Sequence, residues 1–235
     1  MIKTSLLPIR FMCFLGRGLP ITMSLFIFCH VCAANESLSV EVTAGNEILI
    51  GQYTDQTLAV AAFKGIPYAA PPLDDSRWQA PEKHQPRSGK QLATQFAHAC
   101  FQDSYNTQWY QQVGAAFGVS PEEFTDPSFS EDCLYLNIWT PLLSKDKKLP
   151  VMVWVHGGSN KAGWSYEQNY IGAKLAQQGN VIVVSIAYRL GVFGFFSHPE
   201  LMQNNAPANF GLLDQIEALS WINKNIEQFG GDSSN

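Results

Sequence analysis

The chain has 235 residues, 46% of them hydrophobic and 15% charged, with a net charge of −5. That is ample apolar material for a sizeable core, which excludes a disordered chain, and an acidic balance without basic clusters excludes a phosphate-contacting nucleic-acid binder. Thirteen prolines and eighteen glycines, spread without a period or an internal repeat, fit a loop-rich globular protein of one or two domains.

The amino terminus differs in kind from the rest of the chain. Lys3, Arg10 and Arg17 precede an apolar run over 19–34 that carries no charge when His30 is neutral, and no acidic residue occurs before Glu36. A basic lead, an apolar centre and the small residues Ala33 and Ala34 predict a secretory signal peptide over 1–33, with cleavage after Ala33 or Ala34 and a domain over 34–235. The competing reading, an uncleaved anchor helix, needs a longer uninterrupted apolar stretch to span a bilayer. The expected location is secreted or periplasmic, with no stable membrane anchor after cleavage. Cleavage removes three basic residues and no acidic ones, so the net charge falls from −5 to −8. Cys29-His30-Val31-Cys32 reads as part of the export segment rather than as a metal site, and Val31 is bulkier than the residue expected before a lipid-anchor cysteine. Cys100 and Cys133 remain, and an exported pair of this kind reads as a disulfide.

Residues 38–69 alternate as short strands broken at Ala44-Gly45-Asn46 and Gly51, with 58–63 the clearest, until Gly65-Ile66-Pro67-Tyr68 turns the chain. They predict an antiparallel edge. From 70 to 130, Pro71, Pro72, Pro81, Pro86, Pro121 and Pro127 forbid long helices, and Trp78, Trp109 and Phe124 supply apolar anchors to a loop region. Residues 151–155 and 181–186 are nearly all apolar and rich in β-branched side chains, as strands covered on both faces require. Between them 166–178 reads as a helix that Gly179 ends. A second helix is expected over 210–228, with Leu212, Leu213, Ile216, Leu219, Ile222 and Ile226 on its apolar face. The alternation predicts an α/β fold with a mostly parallel central sheet, right-handed crossovers, flanking helices and the antiparallel N-terminal edge.

The chemistry gathers in Trp154-Val155-His156-Gly157-Gly158-Ser159-Asn160. A strand that runs into glycines can turn sharply and leave N–H groups pointing into open space, as an oxyanion hole needs, although His-Gly-Gly in isolation is equally an ordinary strand-to-loop turn.

Neighbouring residues decide between these. Glu131-Asp132-Cys133-Leu134-Tyr135-Leu136-Asn137-Ile138-Trp139-Thr140-Pro141 resembles, at every constrained position, the second signature of the type-B carboxylesterase and cholinesterase family. Phe63-Lys64-Gly65-Ile66-Pro67-Tyr68-Ala69, Tyr188-Arg189-Leu190-Gly191, Gly211-Leu212-Leu213-Asp214-Gln215 and Phe229-Gly230-Gly231-Asp232 resemble its other landmarks in order and spacing. The resemblance covers 38–235. It implies the N-terminal part of an α/β-hydrolase fold, a disulfide between Cys100 and Cys133, and an oxyanion hole using the N–H groups of Gly158 and Ser159, with Gly157 permitting the turn. It implies a carboxylic ester hydrolase working by serine acyl transfer on a small-molecule ester, with no metal or organic cofactor.

Three departures qualify that expectation. Ser159 stands where the family often has a third glycine. The tryptophan that cholinesterases place about ten residues before the second cysteine, to hold a quaternary ammonium, is replaced by Glu122, Glu123 and Phe124, while Trp109 lies elsewhere. These residues contain no Gly-x-Ser-x-Gly: Gly157-Gly158-Ser159-Asn160-Lys161 and Gly163-Trp164-Ser165-Tyr166-Glu167 both lack the final glycine. The nucleophile is expected about seven residues beyond Asn235, and the family's acid and histidine later still. His84, His98, His156 and His198 are therefore not assigned the base role, and His156 is expected to orient the hole. The 235 residues by themselves are expected to lack esterase activity. The alternative is a non-catalytic remnant or interaction module.

Overall fold

A computed structural model describes residues 39–54, 60–141, 148–201 and 208–235, all within one unit, Ser37–Asn235. The expected signal segment lies outside the described residues. Among the described residues no helix is long and apolar enough to cross a membrane.

Among the described residues nine strands and four α-helices follow one another: β1 (Ser39–Ala44), β2 (Glu47–Tyr53), β3 (Ala61–Pro67), β4 (Lys90–Leu92), β5 (Ala99–Cys100), α1 (Tyr105–Ala116), β6 (Phe129–Ser130), β7 (Tyr135–Thr140), β8 (Val151–Val155), α2 (Ala173–Gly179), β9 (Ile182–Ile186), α3 (Gly191–Phe195) and α4 (Phe210–Asn225). The main sheet runs β1-β2-β3-β7-β9-β8, with β4 beside β2, and β5 and β6 form a separate parallel ribbon. The N-terminal edge is antiparallel, as the alternation predicts. Gly45 opens the two-residue β1–β2 loop with φ +58°, the positive φ that such hairpins demand.

Among the described residues the sheet is mixed. On its main path there β8 and β9 pair in parallel across the helical crossover α2, while β3–β7 and β7–β9 are antiparallel. The strand Tyr135–Thr140, read in the sequence as a signature rather than as an element, occupies the centre of the sheet, and all but Tyr135 is buried. Its Asn137 is the polar hub of the core. The side-chain oxygen accepts from the N–H of Gly65 at 3.0 Å, and the amide donates to Ser185 Oγ at 3.0 Å and Ser165 Oγ at 3.2 Å. Gly65, with φ +68°, sits in the irregularity between Phe63 and Ile66, so the chain does not turn there but bulges and stays in β3.

Helices differ from expectation for identifiable reasons. The stretch between Pro86 and Pro121 is proline-free, and α1 forms inside it; Gly114 there lets Phe124 pack against the helix, since a Cβ would meet the ring at 2.5 Å. Trp109, on α1, is 49% exposed and anchors nothing in the core. The helix expected over 166–178 is reduced to Ala173–Gly179, and the left-handed cap falls on Asn180, φ 49°, rather than on Gly179. In α4 the buried positions are Phe210, Gly211, Asp214, Ala218 and Ile222, whereas Leu212, Ile216 and Leu219 are 50%, 56% and 46% exposed.

An ion pair sets that rotation. Arg189, three residues beyond β9, donates from Nε to Asp214 Oδ2 at 2.8 Å and from Nη2 to Oδ1 at 2.7 Å, and its backbone N–H reaches Oδ2 at 3.0 Å. Both side chains are buried, and Gly211 comes so close that a Cβ would lie 2.4 Å from Arg189 O. The Cys100–Cys133 disulfide closes a loop with a separation of 33 residues, which in the chain-entropy account restricts the unfolded state by roughly 3 to 4 kcal/mol. Replacing Asp214 with Asn strands a buried guanidinium charge and is expected to lower the free energy of unfolding by about 3 to 5 kcal/mol, measured by urea denaturation.

Candidate oxyanion-binding site

The carboxyl end of β8 delivers His156, Gly157, Gly158 and Ser159 beside the carboxyl end of β9. Gly158 carries the conformational requirement. Its φ is +110°, and a Cβ there would lie 2.0 Å from Ala162 O, whereas nothing lies within 4 Å of a Cβ built on Gly157. The carbonyl of Gly158 accepts from the N–H groups of Lys161 at 3.0 Å and Ala162 at 3.2 Å, folding the chain back on itself. Ser159 and Asn160 follow with φ +57° and +60°, a left-handed pair that costs residues bearing a Cβ on the order of 1 to 2 kcal/mol each. The carbonyl of Asn160, accepting from Gly191 N–H at 2.7 Å, ties the tip of the turn to α3. Among the described residues no protein acceptor takes the N–H of Gly158 or Ser159.

The return limb is clamped from outside. Gln102, two residues after Cys100, donates from Nε2 to Gly163 O at 2.8 Å and accepts from Gly163 N–H at 2.7 Å. Gly163, φ +107°, leaves no room for a side chain: a Cβ would lie 2.5 Å from both Gly157 O and His156 Nδ1. Glu167, buried, accepts from Trp164 N–H and Asn106 Nδ2, each at 3.1 Å, and from the Tyr110 hydroxyl. Burial and the adjoining Glu167 carboxylate raise the Tyr110 phenol well above its ordinary range.

His156 is 2% exposed and stacks on Tyr188 with centroids 4.5 Å apart. Its Nδ1 lies 3.0 Å from Gly157 O, which only accepts, so Nδ1 carries the proton; Tyr188 donates its hydroxyl to His156 O at 2.9 Å. Nε2 is buried and has no partner among the described residues. Burial pushes the imidazole down to about 4, against the smaller opposing effect of the Gly157 carbonyl. His156 is thus a neutral wedge under the turn. The closest His–Ser pair among the described residues, His98 Nδ1 to Ser128 Oγ at 2.8 Å, is exposed, and no carboxylate orients its other nitrogen.

Two hollows flank the turn. One, about 200 Å³, meets Gly157 and Gly158 and is walled by Tyr105, Trp109, Tyr110 and Tyr170, so α1 brings Trp109 to the turn although its position in the sequence set it apart. The other, about 780 Å³, meets Ser159 and is lined by phenylalanines. A third cavity of about 360 Å³ lies on the Phe124 and Trp164 side of Tyr110 and Glu167, and no residue of the turn lines it. The site roles of Gln102, Glu167 and Tyr188 escaped sequence reasoning, although Tyr188 lies in a landmark segment, because they rest on partners 61, 57 to 61 and 32 residues away. Among the described residues no cluster of His, Cys, Asp and Glu could hold a metal ion.

Comparison with known proteins gives one family. Residues 37–235 match the model of the Carboxylesterase family. Juvenile hormone esterase of Tribolium castaneum is 40% identical over 210 residues, 88% of this chain and 32% of that protein. Liver carboxylesterase B-1 of Rattus norvegicus is 39% identical over 208 residues, 87% of this chain and 35% of that protein. Among solved structures, a thermophilic PNB esterase superposes with a TM-score of 0.70 at 40% identity, covering 82% of this chain and 36% of that one. Aspergillus niger EstA gives 0.67 at 30%, covering 83% and 34%. The chain spans about a third of the length of the curated relatives it matches.

Two outcomes are expected from this geometry. Gly158→Ala, forced into a left-handed backbone with a steric clash, is expected to lower stability by at least about 1 to 3 kcal/mol in chemical denaturation, whereas Gly157→Ala changes it little. Since the folded pKa of His156 lies below its unfolded value of 6.5, its contribution is complete above pH 6.5 and is lost as pH falls toward 4. That loss amounts to about 3 kcal/mol, and in NMR titration the His156 ring is expected to stay neutral from pH 8 to pH 5.

Proposed function

The chain belongs to the carboxylesterase family and has the N-terminal part of an α/β-hydrolase fold, and on that premise we propose that it supplies the oxyanion-binding side of a serine-type carboxylic ester hydrolase. The observation that carries this reading is the pair of N–H groups on Gly158 and Ser159 that no protein acceptor takes among the described residues, held on a turn whose return limb is clamped. In the proposed reaction a serine outside these residues attacks the ester carbonyl as a histidine takes its proton. The carbonyl oxygen gains charge and settles on the two N–H groups; collapse expels the alcohol, and water frees the acid. Each such donor contributes about 3 kcal/mol of transition-state stabilisation. Neutral His156 suits this role, since it supports the turn without competing for the developing anion. Export through the segment 1–33 accords with the disulfide between Cys100 and Cys133.

The second reading, a non-catalytic interaction module, gives the strained turn no use. A fusion of this chain to the portion of a 40%-identical esterase that lies beyond the matched third is expected to hydrolyse 4-nitrophenyl acetate and to lose activity to an organophosphate. The 235 residues alone are expected to leave the ester intact. A folded fusion that takes the organophosphate covalently yet does not turn over would show that the turn does not serve as the hole.

A further inference from the structure

The N–H of Gly158 belongs to the peptide unit whose carbonyl is Gly157 O. In a planar trans peptide the two groups point opposite ways, so whatever fixes that carbonyl aims the donor. His156 Nδ1 donates to Gly157 O at 3.0 Å. A Cβ built on Gly163 would lie 2.5 Å from Gly157 O, 2.5 Å from His156 Nδ1 and 3.2 Å from Glu167 Oε1, so these three atoms converge on one face of that glycine. The peptide between Gly163 and Trp164 is held at both ends: Gln102 Nε2 donates to Gly163 O at 2.8 Å, and Trp164 N–H donates to Glu167 Oε1 at 3.1 Å. Glu167 is in turn anchored on α1, where Asn106 Nδ2 reaches Oε1 at 3.1 Å and the Tyr110 hydroxyl reaches Oε2, the two donors standing four residues apart on one helix face. These partners all lie within the described residues, Glu167 is 4% exposed, and the arrangement therefore needs no free surface.

We propose that Glu167 is a positioning residue of the oxyanion hole: braced by α1, it holds the return limb against Gly157 O and so aims the Gly158 N–H. The assignment rests on the functional reading above and adds to it a side chain that acts through the turn rather than on the ester. Its loss weakens the grip on the developing anion and leaves the binding of the uncharged ester in place, because only the transition state places full charge on the donors. Glutamine at 167 still offers an oxygen to Trp164 N–H and Asn106, and its amide can donate to the Tyr110 oxygen. Alanine leaves all three groups without their acceptor.

Two measurements test this. In the full 235-residue chain, Glu167→Ala is expected to shift the amide NMR signals of Gly158 and Gly163 and to speed solvent exchange of the Trp164 N–H at least about tenfold, with β1 and β2 unchanged. Glu167→Gln is expected to restore both. Tyr110→Phe, which removes one donor and keeps the carboxylate, is expected to shift the same signals by less, and it carries the comparison if the alanine variant does not fold. In the fusion described above, Glu167→Ala is expected to lower kcat for 4-nitrophenyl acetate about ten- to a hundredfold with KM within about twofold, and Glu167→Gln to recover most of that loss. Unchanged Gly158 and Trp164 signals overturn the proposal, as does a loss of activity that falls on KM or that glutamine does not recover. The two readings fail separately. An active fusion with the same kcat in Glu167→Ala defeats the role of Glu167 and leaves the hole standing, whereas a wild-type fusion that takes the organophosphate and does not turn over defeats the hole itself.

Discussion

Gly163 and Gln102 hold the geometry on which the rest of the site depends. Both backbone groups of Gly163 are taken by one side-chain amide, at 2.7 and 2.8 Å, and the same glycine rests against Gly157 O and the His156 ring. A turn carrying three consecutive positive φ values would relax if its return limb were free. It is not free, because Gln102 also donates to Cys100 O at 3.0 Å, and Cys100 is bonded to Cys133 at the entrance to the central strand. The disulfide loop is therefore the external frame of the turn. Fixing donors before an anion arrives is what makes such groups effective, since no reorganisation is then required as charge develops.

The polar interior obeys the same logic of paired demands. Asn137 satisfies a bulge in β3, a serine of β9 and a serine beyond the turn, so the centre of the sheet and the site share one side chain. Arg189 and Asp214 couple the end of β9 to α4, and Glu167 couples the turn to α1. Each is a buried polar group whose removal leaves a partner unsatisfied in a low-dielectric interior, which makes the cost of disruption larger than the net gain of forming the bond.

Some elements were legible because their sequence signal is local. The apolar run 151–155 led into His156 and glycines, and β8 ends there; Gly45 marked the first hairpin, and Cys100 and Cys133 pair. Others were misplaced because a distant contact overrode the local pattern. Leucines at helical spacing mark the face of α4 that carries Leu212, Ile216 and Leu219, whereas the face packed within these residues is set by Asp214, which pairs with Arg189, and by Gly211, which permits the close approach. Prolines hid α1 because they bound it rather than interrupt it. The helix expected from 166 begins at Ala173, since Tyr166 stacks on Phe96 at 4.6 Å and Glu167 is held by the disulfide loop.

The sequence by itself determined the family, the end of β8 at His156 and the glycines, and the pairing of its two later cysteines, because strand patterning and signature spacing are written within a few neighbouring residues; it placed the hinge on Gly157, whereas the positive φ falls on Gly158. The tertiary structure decided which N–H groups stay unpartnered, that His156 is neutral, and that Trp109 and the phenylalanine groove reach the turn. Those properties depend on burial and on hydrogen bonds between residues 30 to 120 positions apart. No local pattern encodes such contacts, so they exist only once the chain is packed.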